Sequence, residues 1–500
     1  MTVVEERRNI RGGFDHSYAE LPTKYYEKCE PSPLTEPELI IFNDRLAGQI
    51  GLSYASFSQA EMTAIFAGNT KYQDADFISM AYAGHQFGNF VSQLGDGRAH
   101  VMGELVDAGG KRRSVQLKGS GKTPFSRGGD GRSPLGPVIR EYLVSEAMAV
   151  LNIPTTRALA MVAAKDKVIR QQGLVPAGVM TRVAESFVRI GTFEYFKSKG
   201  DLDGVKELAD YVIAHHYPEL KGVENQYLRF FEEVCERQLE LVATWMSVGF
   251  IHGVMNTDNS SIVGETIDYG PCAFMDKYNP KTVYSSIDMH GRYSFVNQGA
   301  IIGWNLNSLG FCLAHLLGDD EEQGRQRVMD VLKQTQPHFV EKWIANMRKK
   351  AGLKDSRDDD YDLVRHLLEI MEEQEADYTL VFRYLADNVG EESLSERFVR
   401  LFSDAKPVEE WAESWRKRVL LEKQDAEVVK SEMNRVNPAF IPRNHRVEKA
   451  IRLAEDQGDY SEVILLNKIY SNPFQEDKKY LDYMLPPESG EEILQTFCGT

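Results

Sequence analysis

Two polar turns in the middle of the chain carry residue types suited to metal and phosphate chemistry. The first, HGVMNTDN (252–259), ends with Asp258 followed by Asn259, and the second, DYG (268–270), opens with Asp268. A short apolar run with strand character joins them, so the two turns can meet at the ends of a hairpin. Hard divalent cations such as Mg²⁺ prefer carboxylate and amide oxygens, usually completed by nucleotide phosphates. The pattern predicts a metal and nucleotide site, although the same residues also favour ordinary turns for local reasons.

The first turn has the spacing of a protein kinase catalytic loop. Kinases carry the pattern HRDxxxxN and then DFG, in which the loop asparagine and the DFG aspartate hold the metal. Here His252 and Asn259 keep that spacing, but Val254 occupies the position of the kinase base, and valine cannot accept a proton. The nearby carboxylate of the turn is Asp258. Either the chain does not catalyse transfer, or the base has moved to Asp258.

The composition is that of a globular chain of two or three domains. Its 500 residues are 42% hydrophobic and 10% aromatic, which is enough for a large core. A formal net charge of −17 disfavours binding to nucleic acids or anionic membranes. We expect a cytoplasmic protein, because MTVVEERRNIRGG lacks an apolar signal segment and no run of about 18 apolar residues follows. The five cysteines form no CxxC pair, which disfavours a structural zinc site.

A glycine-rich turn and a strand with a lysine precede the central turns. GDGR (95–98) lies between two strand-like runs, where it is either a phosphate clamp or a plain hairpin turn. The next strand, SVQLKGSG, carries Lys118. The following GSGKT resembles the end of a P-loop, but the required earlier glycine is Gln116 and no helix follows. We therefore interpret the loop that contains Asp130 and Gly131 as a functional loop near phosphate.

A glutamate and two arginines follow in an order compatible with a phosphate site. Pro137 opens a predicted helix that contains Glu141 and Glu146. A strand lysine followed by a helix glutamate is the kinase order, but the spacing does not choose between the two glutamates. Arg182 and Arg189 lie within and after two further predicted strands. Beside a phosphate site they would clamp a triphosphate, and elsewhere they would form surface salt bridges.

Strand patterns dominate the first part of the chain and helical patterns dominate the second. A long, largely apolar helix from residue 226 leads into the central turns. Residues 321–435 show apolar positions at spacings of three and four with charges on the other faces, which predicts packed helices. We therefore predict an α+β fold. Its segments are an N-terminal extension (1–75), a nucleotide-binding lobe (76–195), a lobe with the catalytic and metal loops (196–330) and a helical C-terminal region (331–500).

Five motif groups together resemble the selenoprotein O family, also called the YdiU family. They are YAGHQFGNF, LGDGRA, LKGSGKTPFSRGGDGR, HGVMNTDN with DYGPCAFMD, and NPAFIPRNH. The motifs are long and collinear with those of the family, and the match runs from FDHSYAELP to the terminal Cys498-Gly499-Thr500. On these motifs the chain is identified as a bacterial-type member, with Cys498 near the position of the selenocysteine that animal members carry.

The resemblance implies a fold, an activity and roles for residues. The fold would be protein-kinase-like and bilobal, with ATP inverted relative to kinases so that the α-phosphate faces the acceptor. The activity would be transfer of AMP from ATP to Ser, Thr or Tyr hydroxyls of proteins, including the enzyme itself. Asp258 would be the base, and Asn259 and Asp268 would bind Mg²⁺ or Mn²⁺. The implied nucleotide contacts are Lys118 and Arg182 on the phosphates, Glu141 as partner of the lysine, and Gly95, Gly97, Arg98, Asp130, Gly131, Arg189 and Asp268.

Other functions and a redox role stay open at this point. UMP transfer from UTP with Mn²⁺, γ-phosphoryl transfer with Asp258 as a relocated base, and a pseudokinase scaffold that binds nucleotide without turnover are the alternatives. The partners expected are ATP and protein substrates, and the expected oligomeric state is a monomer. We also predict that oxidation joins Cys272 to Cys498; two free thiols are the alternative in a cytosolic chain.

Overall fold

The strands of the chain are short except in the middle of its main sheet. The computed structural model describes residues 13–170 and 173–497. In these residues the strands are β1 (Tyr26–Lys28), β2 (Glu38–Phe42), β3 (Ile78–Met80), β4 (Gly84–Gln86), β5 (Asn89–Val91), β6 (Ala99–Val106), β7 (Arg112–Lys118), β8 (Ser133–Pro134), β9 (Arg157–Arg170), β10 (Gly173–Ala184), β11 (Phe250–Ile251) and β12 (Ala273–Phe274).

Helices predominate after β10. The α-helices of the described residues are α1 (Asp44–Gln49), α2 (Gln59–Phe66), α3 (Leu135–Val150), α4 (Ile190–Ser198), α5 (Leu202–His216), α6 (Gln226–Ser247), α7 (Gln298–Leu313), α8 (Glu321–Lys350), α9 (Asp360–Glu373), α10 (Tyr378–Leu385), α11 (Glu396–Val399), α12 (Ala405–Leu420), α13 (Ala426–Val436), α14 (Asn444–Gln457) and α15 (Ser461–Tyr470). The helical C-terminal region expected from the apolar spacing is therefore present. Among all the described residues, 13–170 and 173–497, no helix has the length and apolar character needed to cross a bilayer.

One antiparallel sheet is the frame of the first part of the chain. Within the described residues it has eight strands, in the order β1-β3-β6-β7-β10-β9-β2, with β8 paired to β10. The strand predicted to carry Lys118 is β7, and the two strands predicted after it are β9 and β10. The edge strands β1 and β2 come from the segment expected to be an N-terminal extension, so this segment contributes directly to the sheet.

Helix α3 lies between the sheet and the C-terminal helices. Leu135, Ile139 and Leu143 recur at a spacing of four residues on one side of the helix and are fully buried. They belong to one core cluster with residues of β9, β10, α14 and α15. The helix begins at Leu135, so Pro137 lies in its first turn, where the missing N–H of proline costs no hydrogen bond. Packing on both sides therefore fixes the position of every side chain that α3 presents.

The central segment differs from its predicted form. Helix α6 ends at Ser247, and β11 then pairs with β12 in antiparallel register. The hairpin prediction required the apolar runs between the two polar turns to pair with each other. They do not pair with each other in the structure. Instead Ser261 forms a bridge with Arg189 and Thr266 forms a bridge with Thr155. The hairpin prediction was wrong because the strand-like residues satisfy their backbone groups on neighbouring segments of the chain.

The mixed fold of antiparallel sheet and helices, with a helical C-terminal region, agrees with the predicted α+β class. The bilobal kinase-like arrangement and the segment boundaries stay predictions.

Candidate active site

A cavity of about 560 Å³ lies where the sheet meets the two central turns. This volume is in the range typical of pockets for small ligands. It is lined by these predicted residues: Gly95, Gly97, Arg98, Lys118, Asp130, Gly131, Arg182, Arg189, Asp258, Asn259 and Asp268. Of the predicted set, Glu141 is missing from this lining and lies directly behind Lys118.

The lining of the cavity is cationic although the chain is acidic. Seven arginine and lysine side chains line it against four aspartates, an excess of three positive charges, whereas the whole chain carries −17. A cavity that gathers one sign of charge raises the local concentration of ligands of the opposite sign. The electrostatics therefore favour a polyanionic ligand.

The Asp268 carboxylate lies at the centre of the buried charges. Its Oδ1 accepts hydrogen bonds from Lys118 Nζ at 2.7 Å and from Arg182 Nη1 at 2.6 Å. Its Oδ2 accepts one from Arg189 Nη1 at 2.6 Å. Burial by itself would raise the pKa of this carboxyl, but the charges of the three cations outweigh burial and hold the pKa well below its ordinary value. Asp268 is therefore a permanent anion that holds three cationic side chains together.

The pairing of β7 with β10 positions two of these cations. Arg182 lies directly opposite Gln116 in the register of the two strands. Gln116 Oε1 accepts hydrogen bonds from Arg182 Nε at 3.1 Å and Nη2 at 2.5 Å. Lys118 follows Gln116 by two residues and therefore points to the same face of the sheet. The alternation of the strand thus places both side chains beside the cavity.

The structure resolves the choice between the two glutamates of α3. Glu141 accepts a hydrogen bond from Lys118 Nζ at 2.6 Å and one from Arg182 Nη1 at 3.2 Å. Glu146 instead binds Arg157 through both of its carboxylate oxygens, at 2.8 and 2.7 Å. Five residues separate the two glutamates, so about 500° of helix rotation places them on different faces. Only Glu141 can act on the candidate site.

The two polar turns are tied together by a buried histidine. His252 is fully buried, stacks on Trp245 at 5.2 Å between ring centroids, and contacts the Ile267 carbonyl through Nε2 at 2.9 Å. The next residue, Asp268, has φ = +65°, a backbone conformation that costs a non-glycine residue of order 1 kcal/mol or more. Its three ion pairs hold it in this conformation.

Asp258 has a carboxylate oxygen without a partner. Oδ2 accepts a hydrogen bond from Gln86 Nε2 at 3.2 Å, whereas Oδ1 is buried and has no hydrogen-bond partner within residues 13–170 and 173–497. Gly84 lies so close that a Cβ atom there would overlap the carboxylate. Burial raises the pKa of Asp258 to about 6. A carboxylate with a raised pKa and an unused oxygen beside a cavity has the features of a general base.

Asn259 and Asp268 give the cavity an amide oxygen and a carboxylate. The Asn259 amide nitrogen donates to the Val254 carbonyl at 3.0 Å, so its Oδ1 is the atom left for a cation. The described residues contain no group of three or more His, Cys, Asp or Glu side chains arranged to hold a metal. A cation at this site would therefore take few ligands from the chain and the others from phosphate and water, as Mg²⁺ commonly does. The donor set fits a hard divalent cation.

The predicted glycine-rich segments form the rim of the cavity. Gly95, Gly97 and Arg98 precede β6. Gly131 has φ = +71°, and a Cβ atom on it would overlap the backbone of Gly121, so a side chain does not fit there. Asp130 faces Arg170, whose two Nη atoms donate to its carboxylate at 2.8 and 3.0 Å and lower its pKa.

Gln116 and Gln86 of the site were not predicted from the sequence, whereas Asp96 belongs to the predicted GDGR segment. Gln116 orients Arg182, Gln86 binds Asp258, and the buried Asp96 lies 3.8 Å from Arg189 Nη2. A signal existed for Gln116, because it shares a strand face with Lys118. Gln86 lies in the motif YAGHQFGNF, but its contact with Asp258 spans 172 positions of the chain and no local spacing indicates it.

Of the two cysteines in the redox prediction, the structure describes only Cys272. Cys272 is fully buried, two residues after Gly270 of the second polar turn. Cys498 lies outside the described residues. The predicted bond between them stays a prediction.

Comparison with known proteins agrees with the geometry. Residues 10–470 match the family model described as Protein adenylyltransferase SelO. A protein named Protein nucleotidyltransferase YdiU from Rhizobium meliloti is 50% identical over 487 residues, which cover 97% of this chain and 99% of the relative. Proteins of the same name from Rhodopseudomonas palustris and Maridesulfovibrio salexigens are also 50% identical; each match covers 97% of this chain, and 99% and 98% of the respective relatives. The predicted resemblance is confirmed: the chain belongs to the protein adenylyltransferase SelO family of enzymes.

Proposed function

We propose that this enzyme transfers AMP from ATP to Ser, Thr or Tyr hydroxyls of proteins, itself included, and releases pyrophosphate. The family description names protein adenylyltransferases, and the relatives are named protein nucleotidyltransferases. The observation that carries the proposal is the cationic cavity in an acidic chain, with the carboxylate of Asp258 in its lining. The first feature suits a nucleotide polyphosphate, and the second suits removal of a proton from an acceptor.

The architecture that we propose is bilobal and kinase-like. Supporting it are a strand lysine paired with a helix glutamate, Lys118 with Glu141, and an aspartate after a polar loop, Asp268, facing the same cavity. In this proposal the cavity lies between a nucleotide-binding lobe (76–195) and a second lobe (196–330). Residues 1–75 would extend the first lobe, and the helical region (331–500) would support α3 from behind.

The arrangement of charges favours an inverted nucleotide over the kinase orientation. The three cations around Asp268 have little exposed surface, with side-chain exposures of 12% for Lys118, 1% for Arg182 and 2% for Arg189. Cations this deep suit the β- and γ-phosphates, which would leave the α-phosphate nearest the mouth of the cavity. Val254 replaces the kinase base, so nothing at that position favours γ-phosphoryl transfer to an outer hydroxyl.

The proposed step is an in-line displacement at the α-phosphorus. The Asp258 carboxylate takes the proton of the acceptor hydroxyl, the new bond joins the acceptor oxygen to the α-phosphorus, and the bond to the bridging oxygen of pyrophosphate breaks. The side chains of Lys118, Arg182 and Arg189 stabilise the negative charge that the leaving pyrophosphate gains. Gln86 donates a hydrogen bond to Asp258 Oδ2, so the base keeps one orientation.

A divalent cation completes the proposed site. Asn259 and Asp268 would hold Mg²⁺ or Mn²⁺ through oxygen atoms. When bound, such a cation polarises phosphate oxygens and neutralises part of their charge. Asn259 is kept in place by its hydrogen bond to Val254, and Asp268 by its three cationic partners.

Labelled nucleotides separate the candidate functions. The proposal predicts that the enzyme and added proteins acquire label from ATP labelled at the α-phosphate, with the mass increase of AMP, and none from γ-labelled ATP. Label from the γ-position only would establish a kinase. Tight ATP binding without any label would favour a scaffold. The same assay with α-labelled UTP and Mn²⁺ tests UMP transfer, which the relatives' broader name, nucleotidyltransferase, also allows.

A further inference from the structure

A small hairpin connects Asp258 with an arginine on a separate loop. The hairpin, β4–β5, contacts Asp258 through Gln86 and approaches Arg292 through its turn, where a Cβ atom on Gly88 would lie 3.4 Å from Arg292 Cζ. Two residues of extended chain span at most about 7 Å. With the reach of the Gln86 side chain and these two contacts added, the guanidinium lies within about 20 Å of the candidate base, at most about six residue lengths of extended chain.

Aromatic contacts fix the position of Arg292. Its Cζ lies 5.1 Å from the centre of the Trp304 ring and 5.7 Å from that of Tyr293. The Tyr293 hydroxyl donates to Asn256 Oδ1 at 2.7 Å, and Asn256 belongs to the same turn as Asp258. The spacing between the guanidinium and the base is thus set by packed side chains on both sides.

This half-buried arginine has no acidic partner in the described part of the chain. No carboxylate there forms an ion pair with its guanidinium, and its Nε atom is buried without a hydrogen-bond partner. The chain has 75 acidic residues against 58 basic ones, so acidic partners are abundant. A guanidinium that is held in place by aromatic neighbours, with no carboxylate partner among the described residues, is preorganised to bind a carboxylate with two parallel hydrogen bonds.

Exposed apolar side chains flank the same region. Met289 on the Arg292 loop is 85% exposed, and Phe90 on the hairpin is 42% exposed. Surfaces of this kind commonly contact other proteins. A peptide that lies over them with its hydroxyl at Asp258 would reach Arg292 within about six residues.

We propose that Arg292 selects the acceptor: the enzyme prefers hydroxyls that have Asp or Glu within about six residues along the acceptor chain. This inference rests on the proposed function, in which Asp258 faces the acceptor hydroxyl. Arg292 would not contact the nucleotide, so its effect falls on the acceptor only.

A peptide panel with α-labelled ATP tests the inference. Each peptide has one serine, with Asp, Ala or Lys placed at a single position up to about six residues before or after it. We expect wild-type kcat/KM to favour Asp over Ala by about three- to tenfold, the range of a partly exposed charge-assisted contact. The ratio should fall to about one in Arg292→Ala, and Arg292→Glu should prefer Lys. Arg400→Glu, at a 74% exposed side chain directly after α11, is the matched control and should keep the wild-type preference.

The outcomes distinguish the two proposals. Equal use of all peptides by the wild type, or an unchanged preference in Arg292→Glu, would overturn the role of Arg292 and leave AMP transfer standing. Absence of α-label from every peptide and from the enzyme itself would overturn the proposed function and this inference with it. The wild-type comparison needs no variant, so it holds even where a substitution impairs folding.

Discussion

Replacing Asp258 by asparagine should make the protein more stable and far less active. The Asp258 side chain is only 6% exposed, one carboxylate oxygen has no partner among the described residues, and burial raises its pKa from 3.8 to about 6. Each pKa unit corresponds to about 1.36 kcal/mol, so keeping this group ionised costs on the order of 3 kcal/mol. The asparagine amide also lacks a full set of partners. We therefore expect Asp258→Asn to raise the free energy of unfolding by about 1–3 kcal/mol at pH 8.

The pH dependence gives the sign of this effect. The folded-state pKa lies above the unfolded value, so the folded protein holds the proton more tightly. Wild-type stability should fall as pH rises from about 4 to about 6 and stay low above that range. The gain in free energy of unfolding from Asp258→Asn, relative to the wild type, should accordingly be small near pH 4 and complete at pH 8. Urea unfolding in EDTA, without nucleotide, measures the free energy of unfolding of the wild type and of Asp258→Asn at each pH.

Activity and a control complete the test. As a general base, Asp258 should contribute about 10²–10⁴-fold, so Asp258→Asn should lose at least 100-fold in kcat with α-labelled ATP. Asp377 is equally inaccessible, at 6% exposure, but accepts hydrogen bonds from Leu380 N at 2.7 Å and Arg443 Nη1 at 2.8 Å. Asp377→Asn should therefore lose stability, by about 1–3 kcal/mol. A destabilised Asp258→Asn, or one within threefold of wild-type activity, would refute the reasoning.

Two further predictions concern the buried charges. Asp268→Asn should abolish transfer and remove the Mg²⁺ dependence of ATP binding in calorimetry, because it removes one of two proposed metal ligands; retained Mg²⁺-dependent binding would assign the metal elsewhere. Glu141→Gln should weaken ATP use by about 10- to 100-fold in kcat/KM, since Lys118 and Arg182 lose a charged partner. Glu146→Gln should lower the melting temperature through Arg157 and leave KM for ATP unchanged. Equal kinetic effects of both glutamate variants would contradict the assignment.

Several features of the site were predictable because they depend on local spacing. The polar turns at 252–259 and 268–270 are contiguous, so their metal-ligand types could be recognised without a fold. The alternation of β7 places Gln116 and Lys118 on one face in any sheet that contains it. The absence of a base at Val254 is likewise a property of one position.

The hairpin prediction failed because strand pairing does not depend on local spacing. The apolar runs between the turns have strand-like composition, but composition does not say which partner a strand finds. In the fold, Ser261 and Thr266 bridge to Arg189 and Thr155, which are distant in sequence. Strand pairing is decided by whichever unpaired backbone lies alongside.

The sequence by itself determined the family, the mixed fold class and the residue types of the candidate site. Tertiary structure decided which side chains act together: Glu141 rather than Glu146 pairs with Lys118, and two arginines meet that lysine at Asp268. It also left one oxygen of Asp258 buried without a partner. Local spacing sets the face on which a side chain emerges, but contacts between residues up to 172 positions apart depend on how whole elements pack. Burial, and with it the pKa of Asp258, exists only once those elements have packed together.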